Sequence, residues 1–168
     1  MKMKKPKKGE RGFTLVELII VIAITGLITG GITMTIFQVF NINARNTNRM
    51  TAVRQVQQAG FWVSPDVQMS QNVTLGGSSG FPLTLTWEEW ATGNNHTVVY
   101  NLVDNKLQRS HSVNNELQTV TPVAEYIDPT ETSFIEDPEG GAFNFTVTAT
   151  VGGQSETRVY EVKPRPES

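Results

Sequence analysis

The sequence predicts an α+β fold in which one long N-terminal helix packs on a C-terminal antiparallel β-sheet. Two observations support it. The N-terminal part holds a long uncharged apolar run that continues into a segment with apolar residues every three or four positions, as in a helix. After Asn72 the pattern changes to alternation between apolar and polar residues, interrupted by Gly, Asn and Asp turn signals. The chain has no cysteine, so packing rather than disulfides must stabilise this fold.

The apolar run predicts a single membrane span. Leu18 to Ala44 are twenty-seven residues without a charge, whereas about twenty suffice to cross the hydrocarbon core as a helix. The run is too long for the core of a secretory signal, and large residues follow it where a signal peptidase would need small ones. A basic flank precedes the run and predicts a cytoplasmic N-terminus: Lys2, Lys4, Lys5, Lys7, Lys8 and Arg11. We therefore expect an inner-membrane protein whose C-terminal domain lies outside the cytoplasm.

One acid, Glu17, lies at the start of this apolar segment. Inserting an unpaired carboxylate into a membrane costs roughly 2.5–3.5 kcal/mol on insertion scales. Glu17 should therefore have a partner. It is either an interfacial acid neutralised by Lys8 or Arg11, or a group with a specific role in assembly.

The residues around Glu17 decide between these readings. The stretch GFTLVE, from Gly12 to Glu17, behind a short basic leader resembles the type IV prepilin signal. The resemblance implies that a prepilin peptidase cuts between Gly12 and Phe13 and that Phe13 becomes N-methylated. It also implies that Glu17 helps the subunit to join a filament, where this acid and the new amine of a neighbour would form a pair.

Within the span, Gly26 and Gly30 form a GxxxG pattern. Such a pattern allows another helix to approach closely, although membrane helices also tolerate glycine without that role. The functional alternative is a segment that packs tightly or partly unwinds in a filament. Met34 stands where many major pilins carry proline, which speaks against a major pilin.

A soluble half of the helix is expected to continue the span. Its apolar residues recur at helical spacing through a proline, Pro65, and this predicts a kinked helix to about Gln71. The predicted stripe comprises Met50, Val53, Val56, Gly60, Val63 and Val67.

The β region is predicted to contain a Gly/Ser loop followed by a strand with Leu83, Leu85 and Trp87 on one face. A hairpin about Asp104-Asn105 would place Leu102, Tyr100 and Val98 opposite Leu107, Arg109 and His111. A second hairpin about Gly152-Gly153 would place Phe143, Phe145 and Val147 opposite Val162, Tyr160 and Arg158. Its reverse face is expected to be wet, with Asn144, Thr146, Thr148 and Thr150. Asn114 to Gly141 is expected to be irregular, and the chain to end in a polar tail, RPES.

A second resemblance covers the helix end and the first hairpin. An acid near the end of the helix followed by Tyr-x-Leu…Leu-x-Arg is similar to the J-class minor pseudopilins of type II secretion. The matching positions are Asp66, Tyr100, Leu102, Leu107 and Arg109.

No pattern predicts catalysis, so we expect neither an enzyme nor a cofactor. His96 and His111 are interpreted as surface or edge-strand histidines, and Trp62 and Trp87 as parts of the helix–sheet core rather than a sugar-binding platform. The acidic segment Asp128–Glu139 could hold calcium but has no EF-hand spacing, so a solvated loop is favoured. Asn72, Asn95 and Asn144 lie in Asn-x-Thr triplets, which matter only where a glycosylation system exists.

These expectations give four parts: a cleaved leader at 1–12, the transmembrane or filament-core half of the helix at 13–40, its amphipathic half at 41–71, and an exported β domain at 72–168. The predicted function is that of a structural subunit, a minor pilin or pseudopilin, in a filament for secretion, adhesion or motility, or DNA uptake. Its partners would be the prepilin peptidase, other pilins and the membrane.

Two alternatives remain at the level of sequence. One is a filament-tip module that binds DNA, a surface or an exoprotein; the other is an ordinary single-pass membrane protein. From Asp66 onward the sequence has five basic and fourteen acidic residues. This excess of negative charge argues against nucleic acid as a partner.

Overall fold

The computed structural model describes residues 12–138 and 140–165. The basic leader up to Arg11, Glu139 of the acidic segment and the last three residues of the tail lie outside the described residues. The described chain falls into two units, with the boundary between Asn43 and Ala44. The first unit is helical, and the second contains the rest of that helix together with eight strands.

One helix, α1, runs from Leu15 to Met69. It passes through Pro65 and ends two residues before the predicted end at Gln71. Pro65 itself is exposed, whereas its neighbours Asp66 and Val67 are buried against the sheet. Packing of these neighbours against the sheet therefore stabilises the helix at the point where proline removes one backbone hydrogen bond.

The second unit confirms that the helix packs on antiparallel sheet, and it corrects the apolar stripe. Met50 is exposed and Val53 is only half-buried. Two alanines, Ala52 and Ala59, are fully buried instead. Small side chains bring the helix backbone close to the sheet. The buried helix residues are Ala52, Val56, Ala59, Gly60, Val63, Asp66 and Val67.

The strands form two antiparallel sheets. The first has the order β1-β2-β3-β4-β5, with β1 Asn72–Gly76, β2 Gly80–Glu89, β3 Asn94–Val103, β4 Lys106–Val113 and β5 Glu116–Ala124. The second has the order β6-β7-β8, with β6 Ser133–Glu136, β7 Phe143–Val151 and β8 Gln154–Val162. Side chains from both sheets and from α1 form one hydrophobic core.

Both predicted hairpins have the predicted register. Tyr100 pairs with Arg109 across β3 and β4, and Phe145 pairs with Tyr160 across β7 and β8. In the first turn Asp104 and Asn105 both have positive φ, at 50° and 57°. Two consecutive left-handed residues match the twist of the strands on either side, which is why Asn, Asp and Gly mark such turns.

The sequence prediction misses three strands. Asn72–Gly76, for which no strand was predicted, is the edge strand β1, and the stretch from Asn114 to Gly141, predicted to be irregular, contains β5 and β6. β5 occupies the opposite edge of the first sheet, where Pro122 is tolerated because an edge strand has one side without ladder hydrogen bonds.

The predicted wet face of β7 is also wrong at one position. Thr148 is 1 % exposed, whereas Thr150 is exposed as expected. The segment before β6 covers Thr148: Thr148 Oγ1 donates to the carbonyl oxygen of Glu131 at 3.3 Å, and the backbone nitrogen of Asp128 donates to the carbonyl oxygen of Thr148 at 2.9 Å. A long-range contact thus buries a residue that local alternation places in solvent.

Candidate functional site

The residues at the N-terminal end of the helix form a capping box. Thr14 immediately precedes α1, and its backbone nitrogen and its hydroxyl donate to Glu17 Oε2 at 3.1 Å and 3.0 Å. The backbone nitrogen of Glu17 donates in return to Thr14 Oγ1 at 3.3 Å. These reciprocal bonds satisfy donors that the first turn of a helix leaves without partners. Glu17 therefore has a local role in starting the helix, and the spacing Thr-x-x-Glu was the sequence signal for it.

The proposed processing residues precede this cap. Gly12 and Phe13 are exposed, and the Phe13 side chain is 85 % accessible. Glu17 is exposed in the first turn of the helix. The structure thus places the three residues close together at an accessible chain segment; cleavage at Gly12 and methylation of Phe13 stay predictions.

The first unit exposes an apolar helix surface. Every side chain from Gly12 to Thr47 is exposed, and most from Leu15 to Ile42 are Leu, Ile, Val or Phe. A hydrophobic helix exposed all round requires lipid or other apolar helices around it. Among the described residues, α1 is the helix that is long and apolar enough to cross a membrane. It is a candidate single-pass anchor.

Polar groups in this apolar part are compatible with a membrane. The hydroxyls of Thr33 and Thr35 donate to the carbonyl oxygens of Thr29 and Gly31, at 2.8 Å and 2.9 Å. Bonds of this kind satisfy the hydroxyls within the helix itself.

The GxxxG positions lie on an open helix surface. A side chain added at Gly26 or at Gly30 would meet nothing within 4 Å. The segment is helical throughout. The close approach of a second helix at these glycines stays a prediction.

Three residues from distant parts of the chain meet near the other end of α1. The carboxylate of Asp66 accepts hydrogen bonds from Tyr100 Oη at 2.5 Å, from Arg109 Nε at 2.7 Å and from Arg109 Nη2 at 3.1 Å. Tyr100 is fully buried and Asp66 is 7 % exposed. The Arg109 guanidinium also lies 5.4 Å from the ring centre of Trp62, a cation–π distance.

Electrostatics in this network favour the charged form of Arg109 and the neutral form of Tyr100. The hydrogen bond to Asp66 raises the pKa of Arg109 above its ordinary value. Burial, together with the negative charge of Asp66, raises the pKa of the Tyr100 hydroxyl far above its usual range, so the hydroxyl stays a donor. The resemblance to J-class pseudopilins pointed to Asp66, Tyr100 and Arg109 in the sequence. The tertiary structure adds that these three side chains bond to one another.

An open groove lies beyond the end of the helix, on the same face of the first sheet. Its volume is about 550 Å³, and its lining includes Trp87, His96 and His111. The two histidines are on the interior strands β3 and β4 and are half-buried. They are therefore not edge-strand residues, although both side chains are partly exposed in the groove, as expected of surface histidines. Trp90, on the rim of the groove, is 95 % exposed, whereas Trp62 and Trp87 pack against the core as predicted.

The acidic segment does not form a compact cluster among its described residues. Strand β6 divides it, and Asp128 Oδ1 accepts from the backbone and the hydroxyl of Thr130 at 2.9 Å and 2.7 Å. These bonds lower the pKa of Asp128. Within residues 12–138 and 140–165 no group of three or more His, Cys, Asp or Glu side chains is arranged to hold a metal ion.

Comparison with known protein families gives a match at the N-terminal part of the chain. Residues 7–33 match the prokaryotic N-terminal methylation motif. The chain therefore carries a type IV pilin-like prepilin signal, which is typical of structural proteins rather than enzymes. No curated protein and no solved structure matches the chain.

Proposed function

We propose that this chain is a minor pilin or pseudopilin, a structural subunit that leaves the inner membrane to join a type IV pilus-like filament. The observation that carries the proposal is the methylation motif at the head of an exposed apolar helix. That helix is stable in two apolar surroundings, a bilayer before assembly and the packed helices of other subunits afterwards. The prepilin peptidase and other pilins are the partners that the signal implies.

Each part of the chain has a place in this proposal. Residues 1–12 are the leader that the peptidase removes, and 13–40 form the membrane and filament-core half of the helix. Residues 41–71 form the amphipathic half, and 72–168 form a domain presented outside the cytoplasm. The part of the helix that carries the Asp66 network is tied to β3 and β4, so a pull on this part would be transmitted to the domain.

Cleavage after Gly12 would give Glu17 a second role. The new amine of Phe13 and the carboxylate of Glu17 are both costly when unpaired in an apolar environment. Pairing of one subunit's amine with the next subunit's carboxylate would remove both costs and would fix the axial position of the subunits. Thr14 donates both capping hydrogen bonds to Oε2 of Glu17. The cap therefore does not use Oε1, which can accept a hydrogen bond from such an amine.

The assignment to a minor subunit rests on two features. Met34 stands where many major pilins carry proline. Asp66, Tyr100 and Arg109 form a connected network at the positions that resemble J-class minor pseudopilins.

Mass spectrometry of the protein extracted from membranes tests processing. We expect a mature chain that begins at Phe13 with one additional methyl group. Replacement of Gly12 by a bulky residue should leave the precursor uncut and membrane-bound. An intact leader in cells with an active prepilin peptidase would contradict the proposal.

Filament incorporation of Glu17→Gln tests the role of the charge. Glutamine at this position can also complete a capping box, so the variant keeps the cap and loses the charge. We expect normal insertion and cleavage but poor incorporation into filaments sheared from cells that co-express the partner pilins.

Thr14→Val is the matched control, because it removes the capping hydroxyl and keeps the carboxylate. It should enter filaments much better than Glu17→Gln. Wild-type incorporation of Glu17→Gln would show that Glu17 acts only as an interfacial or capping acid.

A further inference from the structure

A short polar and basic band follows the apolar part of α1. Its sequence, NINARNTNR from Asn41 to Arg49, contains four asparagines and two arginines. The helix has no acidic residue between Glu17 and Asp66, so no carboxylate of the helix itself neutralises these arginines. The band therefore offers positive charge and hydrogen-bond donors where the apolar surface ends.

The β domain meets the helix just beyond Arg45. Every side chain from Gly12 to Thr47 is exposed, and Asn48 is the first that is partly covered. The turn between β7 and β8 lies against it, since a side-chain carbon added at Gly152 would overlap the Asn48 side chain. Arg45 therefore lies on the open helix surface between this contact and the apolar part.

Two arginines of the band are available to an anion. Among the described residues Arg45 forms no ion pair, and Arg49 forms one with Glu156, with 3.9 Å between Arg49 Nε and Glu156 Oε2. The Arg49 side chain is 68 % exposed, so water screens this pair. Because residues four positions apart lie on the same face of a helix, the two guanidinium groups can act together. A guanidinium group binds phosphate with two parallel hydrogen bonds.

The length of the preceding helix places Arg45 at a membrane surface. Arg45 follows Glu17 by 28 positions, and this number of residues covers about 42 Å in an α-helix. A bilayer with its headgroups is about 40–45 Å thick. With Glu17 at one surface, Arg45 lies at the other. Side chains of a helix lean toward its N-terminal end, which here is the direction of the lipid.

We propose that Arg45 and Arg49 bind the phosphate groups of lipids on the side of the membrane where the β domain lies. The two contacts hold the domain at a fixed height above the bilayer. In the orientation set by the basic leader, arginines on this side are unfavourable for insertion, and binding of lipid phosphate gives them a function. This inference rests on the membrane anchor and not on assembly into a filament.

Solid-state NMR of the full chain in lipid vesicles tests the contact. The protein carries ¹³C at Cζ of its arginines, and the vesicles contain phosphatidylethanolamine and phosphatidylglycerol in buffer without phosphate, so that the lipid is the source of ³¹P. A guanidinium group that binds phosphate at two points has its Cζ about 4 Å from phosphorus, close enough for ³¹P to dephase the ¹³C signal. We expect dephasing in the wild type, and Arg45→Gln combined with Arg49→Gln should remove at least half of it. Arg11 of the leader is present in every protein compared, so its signal is a constant background.

Arg54→Gln is the matched control. Arg54 is exposed like Arg45 and Arg49, but it lies nine positions beyond Arg45, which is about 13 Å farther along the helix and on its opposite side. This variant should keep the full dephased signal. A loss as large as that of the double variant would overturn the assignment to Arg45 and Arg49.

Two further measurements separate the possible outcomes. Resistance to an alkaline carbonate wash shows whether each protein is inserted in the vesicles, and tryptophan fluorescence shows whether it is folded. If the inserted and folded double variant keeps the wild-type dephasing, the lipid contact is overturned, and an acidic surface of a neighbouring protein becomes the better partner for the arginines. A wild type that the wash removes would overturn the membrane anchor together with this inference.

Discussion

Asp66 on the helix and Arg109 on β4 form a two-point ion pair, with 2.7 Å between Oδ2 and Nε and 3.1 Å between Oδ1 and Nη2. The side chains are 9 % and 13 % exposed. A charge pair that is largely removed from water keeps its net benefit only while both partners are present. The pair therefore fixes the position of the helix on the sheet, and loss of either member should be more harmful than loss of a surface pair.

Asp66→Asn should destabilise the protein by about 3 kcal/mol, because the variant leaves the Arg109 guanidinium largely buried without a counter-charge. Tyr100→Phe removes one hydrogen bond to a charged group and should cost about 1.5 kcal/mol. Urea unfolding in detergent micelles, followed by tryptophan fluorescence, measures both losses.

Lys106→Gln is the matched control for these variants. Lys106 forms an ion pair with Glu125 at 2.8 Å, but both side chains are nearly half exposed. Water screens such a pair, so the variant should unfold almost like the wild type. An equal loss of unfolding free energy in Lys106→Gln and Asp66→Asn would show that burial does not determine the contribution of an ion pair in this protein.

Thr148→Ala should cost about 1–3 kcal/mol, since it removes a buried hydroxyl that bonds to the carbonyl oxygen of Glu131 and to the Thr157 hydroxyl, 2.8 Å from Thr148 Oγ1. Thr150→Ala, on the same face but exposed, should cost less than about 0.5 kcal/mol. Phe145→Ala, in the core, should cost about 3–5 kcal/mol. Urea unfolding ranks the three; equal values for Thr148 and Thr150 would contradict the burial of Thr148.

Gly60→Ala should destabilise the protein by about 1–3 kcal/mol despite the better helix propensity of alanine. A side-chain carbon added at Gly60 would lie 2.2 Å from Cζ of Tyr160. The Tyr160 ring has little freedom to move, because its hydroxyl donates to the carbonyl oxygen of Val56 at 3.1 Å.

A double-mutant cycle checks this cause. Gly60→Ala should become neutral or stabilising when Tyr160 is already alanine, because the ring that causes the overlap is then missing. The same loss in both backgrounds would rule out the overlap with Tyr160.

The stability of the protein should fall as the pH drops below the unfolded pKa of histidine, near 6.5. The pKa of His111 is lowered in the folded state, so the unfolded chain binds more protons below that pH and is favoured. Well above pH 6.5 both states are neutral at this site and the contribution is complete. Burial lowers the pKa of His111 most, and electrostatic interactions with Arg109 and His96 lower it further, whereas Asp66 raises it more weakly.

Urea unfolding between pH 7.5 and 5.5, in buffer with EDTA, measures this dependence. His111→Gln should show a weaker fall than the wild type over that interval. An unchanged pH dependence in the variant would assign the effect to other groups.

The sequence alone determined the features that depend on residues close together in the chain. The cleavage and methylation signal, the apolar helix and the hairpins about Asp104-Asn105 and Gly152-Gly153 all follow from local spacing, and the structure has the predicted helix and both registers. Such features are readable because a helix repeats every 3.6 residues and a strand every two, and because a tight turn needs particular residues.

Only the tertiary structure decided which distant residues meet. Asp66 lies 34 positions from Tyr100 and 43 from Arg109, and no local pattern fixes those contacts. The same reason explains β5, whose residues up to Pro122 are exposed and so show no apolar alternation, and Thr148, which is buried by the distant segment around Glu131. The contact between His96 and His111, whose nearest ring nitrogens are 3.0 Å apart, likewise needed the order of the strands in the sheet, because burial and contact depend on the whole packed fold.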